Sequence, residues 1–301
     1  MDDGETARES ASLMSRSALV GFCLVAALSY RASVSLIPTG ILEDAFVLGL
    51  SAVFLGLSVV IRRGQELRRY WEVPYAFFVF TAAALLGDGT ISPLQHAFVT
   101  DVLHETTSTN NPLASSVFGS VLAQLFGTLL LVAPIVLLTM ASGSDLRSIF
   151  IDRVRKWWPL IVGLVGFLVV FFLVARGRTE AFFPTNGGAA ASRFLALAPA
   201  LVVLVLMNGL REELWFRGLF LRKYGNFLSP WSSNILAAVI FTSFHVQVQY
   251  SASILPFLAI ALVNGLFLGW LMQKSGSLWA SVLFHAATDL PIFLVYLSYA
   301  K

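Results

Sequence analysis

Apolar runs long enough to cross a lipid bilayer follow one another along almost the whole chain, separated by short polar connections. A span needs about 20 residues at about 1.5 Å rise per residue. The runs fall at 17–37, 45–61, 73–87, 114–140, 157–176, 199–222, 231–248, 252–273 and 277–299. The third is short and the ninth contains Pro291, so the pattern predicts eight or nine helices. Ahead of them lies a polar tail, 1–16, of mixed charge, without the apolar core and small-residue cleavage site of a secretory signal. The predicted architecture is all-α: a polytopic transmembrane helix bundle of about 8–9 spans.

Composition agrees with the pattern. Of 301 residues, 57% are hydrophobic and 12% charged, where soluble domains carry about 45–50% and about 25%. A water-soluble domain and a disordered chain are both excluded. The net charge of +3 is too small for a nucleic-acid surface, so the expected partner is membrane lipid and no nucleic acid. The single cysteine, Cys23, excludes an internal disulfide and a cysteine-rich metal site.

Basic residues then set the orientation. Arg62, Arg63, Arg68 and Arg69 crowd the second connection, Arg147, Arg153, Arg155 and Lys156 the fourth, and Arg222 and Lys223 the sixth. The third connection, 88–113, carries no Lys or Arg. This alternation places the N-terminus and the even connections in the cytoplasm. Arg176, Arg178 and Arg193 in the fifth connection break it. The short tail points to a prokaryotic plasma membrane. Trp157 and Trp158, after a basic stretch, read as an interfacial belt. Gly187–Gly188 and the alanines 189–191 read as a flexible joint before the C-terminal third. In the third connection, Asp101, His104 and Glu105 can share a helical face near His96. Without a second ligand cluster, a solvated interfacial helix capped by Thr and Asn is preferred over a metal site.

Ionisable residues inside apolar spans are more informative, because a charge at the bilayer centre costs at least about 2.5–3.5 kcal/mol. The last hundred residues contain three acids, Glu212, Glu213 and Asp289, and two histidines, His245 and His285. Counted from the basic end of each span, Glu212 lies roughly 15–17 Å deep, His245 roughly 20 Å, His285 roughly 13 Å and Asp289 roughly 19 Å. Three helices thus bring polar groups to one level, which predicts that they meet. Glu213 and Arg217 are four apart and suited to an ion pair that lets the segment enter lipid. Glu212 points about 100° away from Glu213 around the helix. Phe241 and His245 are four apart, as are His285 and Asp289.

These residues spell EExxxR from Glu212 to Arg217, FxxxH from Phe241 to His245, and HxxxD from His285 to Asp289. In that order, on successive hydrophobic helices, they resemble the three motifs of the CPBP family of CAAX-processing and bacteriocin-processing intramembrane proteases. The resemblance covers about a third of the chain. It implies a division into the tail 1–16, N-terminal transmembrane helices of unassigned role at 17–192, and a catalytic core at 193–301. It also implies an intramembrane endopeptidase acting on a membrane-associated or lipidated polypeptide, in a cavity of the cytoplasmic half of the bilayer. Glu212 and His245 match the pair thought to activate water, and His285 and Asp289 the pair thought to stabilise the oxyanion. Glu213, Arg217 and Phe241 match supporting positions. An ionised Asp289 cannot donate to an oxyanion, so it is either protonated or orients an imidazolium at His285.

Other readings stay open at this stage. Zinc on His245, His285 and a glutamate would give a metalloprotease, although no HExxH occurs and the resemblance implies chemistry without a cofactor. A midplane Glu, His and Asp set also suits a proton-coupled transporter, and a non-catalytic scaffold is the fourth reading. Asn208 and Asn264 read mainly as helix–helix glue, with Asn264 a lining candidate. Arg31 reads as a snorkelling residue or the partner of an acid.

Overall fold

The computed structural model describes residues 3–65, 67–88, 92–108, 110–176, 187–246 and 254–300, and for 3–15 and 187–193 it describes the backbone alone. Among these residues every regular element is helical. In chain order they are α1 (Asp3–Leu36), α2 (Ile41–Arg63), α3 (Glu72–Gly87), the short α4 (Pro93–Ala97), α5 (Val117–Ala141), α6 (Trp157–Ala175), α7 (Gly187–Glu212), the single turn α8 (Leu221–Tyr224), α9 (Pro230–Ser243), α10 (Ile254–Ser275) and α11 (Trp279–Ser298). Eight helical segments of the described chain are long and apolar enough to cross a membrane. The protein is a polytopic transmembrane helix bundle.

The run expected as a seventh span, 231–248, departs from the sequence reading. Helix α9 stops at Ser243 after 14 residues, about 21 Å at helical rise. His245 therefore lies in the turn beyond the helix rather than within it. Positions 247 and 248, and the first two of the run 252–273, fall outside the described residues. Gly187 and Gly188 form the first turn of α7, not a joint, and α11 runs straight through Pro291. The polar tail is helical from Asp3, continuous with the first span.

Two apolar cores hold the bundle. One gathers α1, α2 and α3 around Tyr30, Phe77, Phe80, Trp215, Phe216 and Phe241. The other packs α6, α7 and α11 through Phe167, Leu201, Leu204, Ala286 and Leu290. The outer surface stays apolar, with Leu48, Val53, Leu129, Leu137, Leu164 and Val263 exposed, as lipid-facing positions require. Where α7 meets α11 the backbones come close. A Cβ on Gly209 would lie 2.9 Å from the Val282 carbonyl oxygen, so only glycine lets this turn of α7 approach the turn before His285.

The third connection is short helical and irregular. Ser92 caps α4 by accepting from the Gln95 N–H, and a π-helical turn, Phe98–Val102, follows. His104 then takes a left-handed conformation, φ 55°. Asp101, His104 and Glu105 consequently do not share a helical face. Glu105 instead accepts from the hydroxyls of Ser115 and Ser116 at the start of α5. Those hydrogen bonds hold its carboxyl below the usual carboxylate range. Among the described residues, no group of three His, Cys, Asp or Glu is placed to hold a metal ion, here or elsewhere.

Candidate active site

The polar residues of the C-terminal third converge where α7, α9 and α11 face each other. Helix α7 gives way at Glu213 to a π-helical turn, Glu213–Gly218, in which the Leu219 N–H reaches back five residues to the Leu214 carbonyl. Such turns widen the helix and shift side-chain register, and they are frequent at functional sites. Here the turn starts at the junction of two adjacent carboxylates and sends them into different surroundings.

Glu213 faces the interior. It and Arg217 are both fully buried, and Arg217 Nη1 donates to Glu213 Oε1 at 2.5 Å. The Arg217 guanidinium lies 4.2 Å from the centre of the Phe241 ring, and its Nε donates to the Gly265 carbonyl at 3.4 Å. The expected ion pair is present. It has one further member: His285 Nδ1 donates to the same Glu213 Oε1 at 2.7 Å. The His285 ring is thereby fixed through Nδ1, and its Nε2 is turned the other way.

That other way is toward Glu212 and Asp289. His285 Nε2 lies 3.5 Å from Glu212 Oε2 and 3.8 Å from Asp289 Oδ1. The four-residue spacing does put Asp289 beside His285, yet Glu213, 72 positions away in sequence, makes the closer contact. Of the two, Glu213 is the carboxylate that hydrogen-bonds the imidazole.

Asn208 completes the cluster. Its Nδ2 donates to Glu212 Oε1 at 3.0 Å and to Asp289 Oδ2 at 2.9 Å, so one amide nitrogen ties the two carboxyl groups together. Gln124, buried on α5, donates from Nε2 to Asn208 Oδ1 at 3.5 Å, which is consistent with the amide nitrogen facing the carboxyls. The sequence reading took Asn208 for helix glue and did not single out Gln124. Asn208 precedes Glu212 by one helical turn, and Gln124 interrupts an otherwise apolar run.

His245 approaches from α9. Its Nδ1 lies 2.9 Å from the Phe241 carbonyl oxygen, so Nδ1 carries the proton and Nε2 is free to accept one. Phe241 sits between the histidines, with its ring centre 4.4 Å from that of His245 and 5.9 Å, edge to face, from that of His285. Arg31 of α1 holds this end of α9. Arg31 donates from Nε to the Ser243 carbonyl at 3.2 Å and from Nη1 to the Ser35 hydroxyl at 2.7 Å. Next to it, the ring of Tyr30 stacks on Phe244 with centres 5.8 Å apart.

Glu212, His245, His285, Asp289 and Asn208 all line one cavity of about 780 Å³. The remaining wall is mostly apolar, including Phe257, Phe267, Ile292 and Tyr296, and it includes Asn264. Asn264 donates to Thr288 Oγ1 at 3.4 Å. On α10 the lining runs only from Phe257 to Phe267, the half remote from Lys274, and on α11 it reaches Tyr296. On α10 the cavity thus keeps to the half away from Lys274, while on α11 it extends from Phe284 to Tyr296.

Residues 194–291 match the family model described as type II CAAX prenyl endopeptidase Rce1-like. No curated protein and no solved structure matches the chain. The matched segment begins in α7 and ends in α11, and it contains Asn208, Glu212, Glu213, Arg217, Phe241, His245, His285 and Asp289, while Arg31 and Gln124 lie outside it. Residues 194–291 of this membrane protein are thus similar to the CPBP, or CAAX protease, family.

Proposed function

We propose that the protein is an intramembrane endopeptidase that hydrolyses a peptide bond in a membrane-associated or lipidated polypeptide, with Glu212 and His245 activating water and His285 and Asp289 facing the oxyanion. One observation carries the reading. A carboxylate and two histidines are held by hydrogen bonds at one wall of a mostly apolar cavity large enough for an extended peptide segment. The family match supports hydrolysis of a peptide bond as the reaction class.

The chemistry follows from the donors and acceptors. A water between Glu212 Oε2 and His245 Nε2 gives up a proton as its oxygen bonds to the scissile carbonyl carbon. Charge develops on the carbonyl oxygen. His285 is the donor: as an imidazolium it gives Nδ1–H to Glu213 and directs Nε2–H at the cavity. A hydrogen bond to the oxyanion in a site shielded from bulk water is worth about 3–4 kcal/mol. The tetrahedral species collapses with cleavage of the C–N bond, and the proton taken from water goes to the leaving amine. Asn208 positions the two carboxyls throughout, and Asp289 bounds the oxyanion side.

The test is cleavage of a membrane-anchored or prenylated peptide by purified protein and by Glu212→Ala, His245→Ala and His285→Ala. Folded variants are expected to lose activity by about 10²–10⁴-fold. Variants that fold and cleave like the wild type would sink the mechanism. Stoichiometric bound zinc with chelator-sensitive cleavage would replace it by metal chemistry.

A further inference from the structure

A second cavity, of about 550 Å³, opens at the other end of α9 and α10, beside the basic edge of the bundle. Arg155, Lys156, Arg222 and Lys274 line it, and no carboxylate does. Its floor is shaped by contacts that fix those cations. The Arg155 N–H donates to the Ser275 carbonyl at 2.9 Å. Arg222 donates from Nη2 to the Gly276 carbonyl at 3.2 Å, and its guanidinium lies 4.4 Å from the centre of the Phe150 ring. Arg155 is paired with Asp152 at 3.2 Å. Lys156, Arg222 and Lys274 have no ion-pair partner among the described residues.

With Arg155 paired to Asp152, the three remaining cations around a concave, partly apolar recess still repel one another and favour an anion among them. The level of the recess identifies the anion's source. Trp157, Trp158, Trp231 and Trp279 are all exposed, and each stands within three residues of a lining position. Exposed tryptophans at helix ends mark the depth of lipid headgroups, and basic pockets between transmembrane helices at that depth bind anionic headgroups. We infer that the recess between the start of α6, the α8–α9 elbow and the end of α10 is a binding site for the phosphate headgroup of an anionic phospholipid, separate from the polar cavity. The headgroup phosphate is held by Arg222 and Lys156 with Lys274 at the rim, and the acyl chains run down the outer apolar faces of α6 and α10.

This inference rests on the membrane-spanning fold and not on the protease reading, so its test needs no substrate. The full chain, reconstituted in phosphatidylcholine vesicles, is titrated with phosphatidylglycerol carrying a fluorescent acceptor. Energy transfer from the four tryptophans at the recess reports binding. The exposed double variant Lys156→Gln/Lys274→Gln is expected to bind about 25-fold more weakly, roughly fivefold for each basic residue near the surface. Arg222→Gln is expected to give a further loss in the same assay. Arg62→Gln/Arg63→Gln removes equal charge from the basic end of α2 and is expected to leave the affinity within about twofold. The inference is overturned if that control weakens binding as much as Lys156→Gln/Lys274→Gln, if unlabelled phosphatidylcholine competes equally, or if inorganic phosphate alone displaces the lipid.

Discussion

Glu212 and Glu213 are neighbours on one turn, yet they stand in two different regions of the molecule. Glu213 belongs to a sealed region. Its accepting oxygen is shared by Arg217 and His285, with Phe241 against the guanidinium and no exposure to the cavity. Glu212 belongs to an open one. Its side chain keeps 22% of its surface exposed, and it is held by a neutral amide and by the far nitrogen of the same histidine. A charge buried beside a fixed opposite charge is committed to structure. One held by an amide at a cavity wall keeps an oxygen for water. His285 joins the two regions, with one ring nitrogen in each.

The largest expected effect breaks the comparison on the open side. Glu212→Gln keeps the side-chain shape and its acceptor for Asn208 but removes the base. Cleavage is expected to fall about 10²–10⁴-fold with the unfolding midpoint unchanged, as read by steady-state rates and by thermal unfolding in detergent. Glu213→Gln breaks the sealed side. Loss of one partner of a buried ion pair costs about 3–5 kcal/mol, so the variant is expected to unfold far more readily. Intact stability with lost turnover would reverse the two roles.

Smaller effects sharpen the comparison. Asn208→Leu releases both carboxyls from their shared donor and is expected to lower kcat about 10–100-fold, the range seen when orienting hydrogen bonds are removed, with KM little changed. Arg31→Gln loosens the end of α9 from outside the family segment. With four histidines in the chain, 15N-histidine spectra report it directly, and the His245 imidazole is expected to shift while that of His285 stays put. Glu105 gives the smallest effect and a carboxylate in water as the contrast. Its lowered folded pKa means that its contribution is present above the unfolded value and is lost as pH falls through the folded one. Hydrogen-exchange protection around Ser115 and Ser116 is expected to drop below the ordinary carboxylate range, and Glu105→Gln is expected to abolish that pH dependence.

The bundle was legible because lipid imposes length and hydropathy on every span, and the depth of ionisable groups was enough to predict that they meet. What stayed hidden came from geometry that spacing does not carry. The π turn at Glu213 and the 72-residue contact to His285 depend on how α7 packs against α11. The early end of α9 comes at the turn at Phe244, which packs on Tyr30 and Trp215, where the run begins to alternate with polar residues. Gln124 escaped because an amide costs lipid less than a charge and so stands out less, whereas Asn208, read as helix–helix glue, does link α7 to α5 and α11. The hydrogen bond from Arg31 to the Ser243 carbonyl was not legible either, since it depends on α9 ending early and leaving acceptors that a guanidinium satisfies.

The central claim is that Glu212 is the base of a peptide hydrolysis while Glu213 is not. Its most direct test is the rate of product formation per folded molecule, for wild type, Glu212→Gln and Glu213→Gln, on one membrane-anchored peptide substrate. The account predicts that folded Glu212→Gln is inactive, while whatever fraction of Glu213→Gln folds retains measurable cleavage. Wild-type cleavage by folded Glu212→Gln would contradict it.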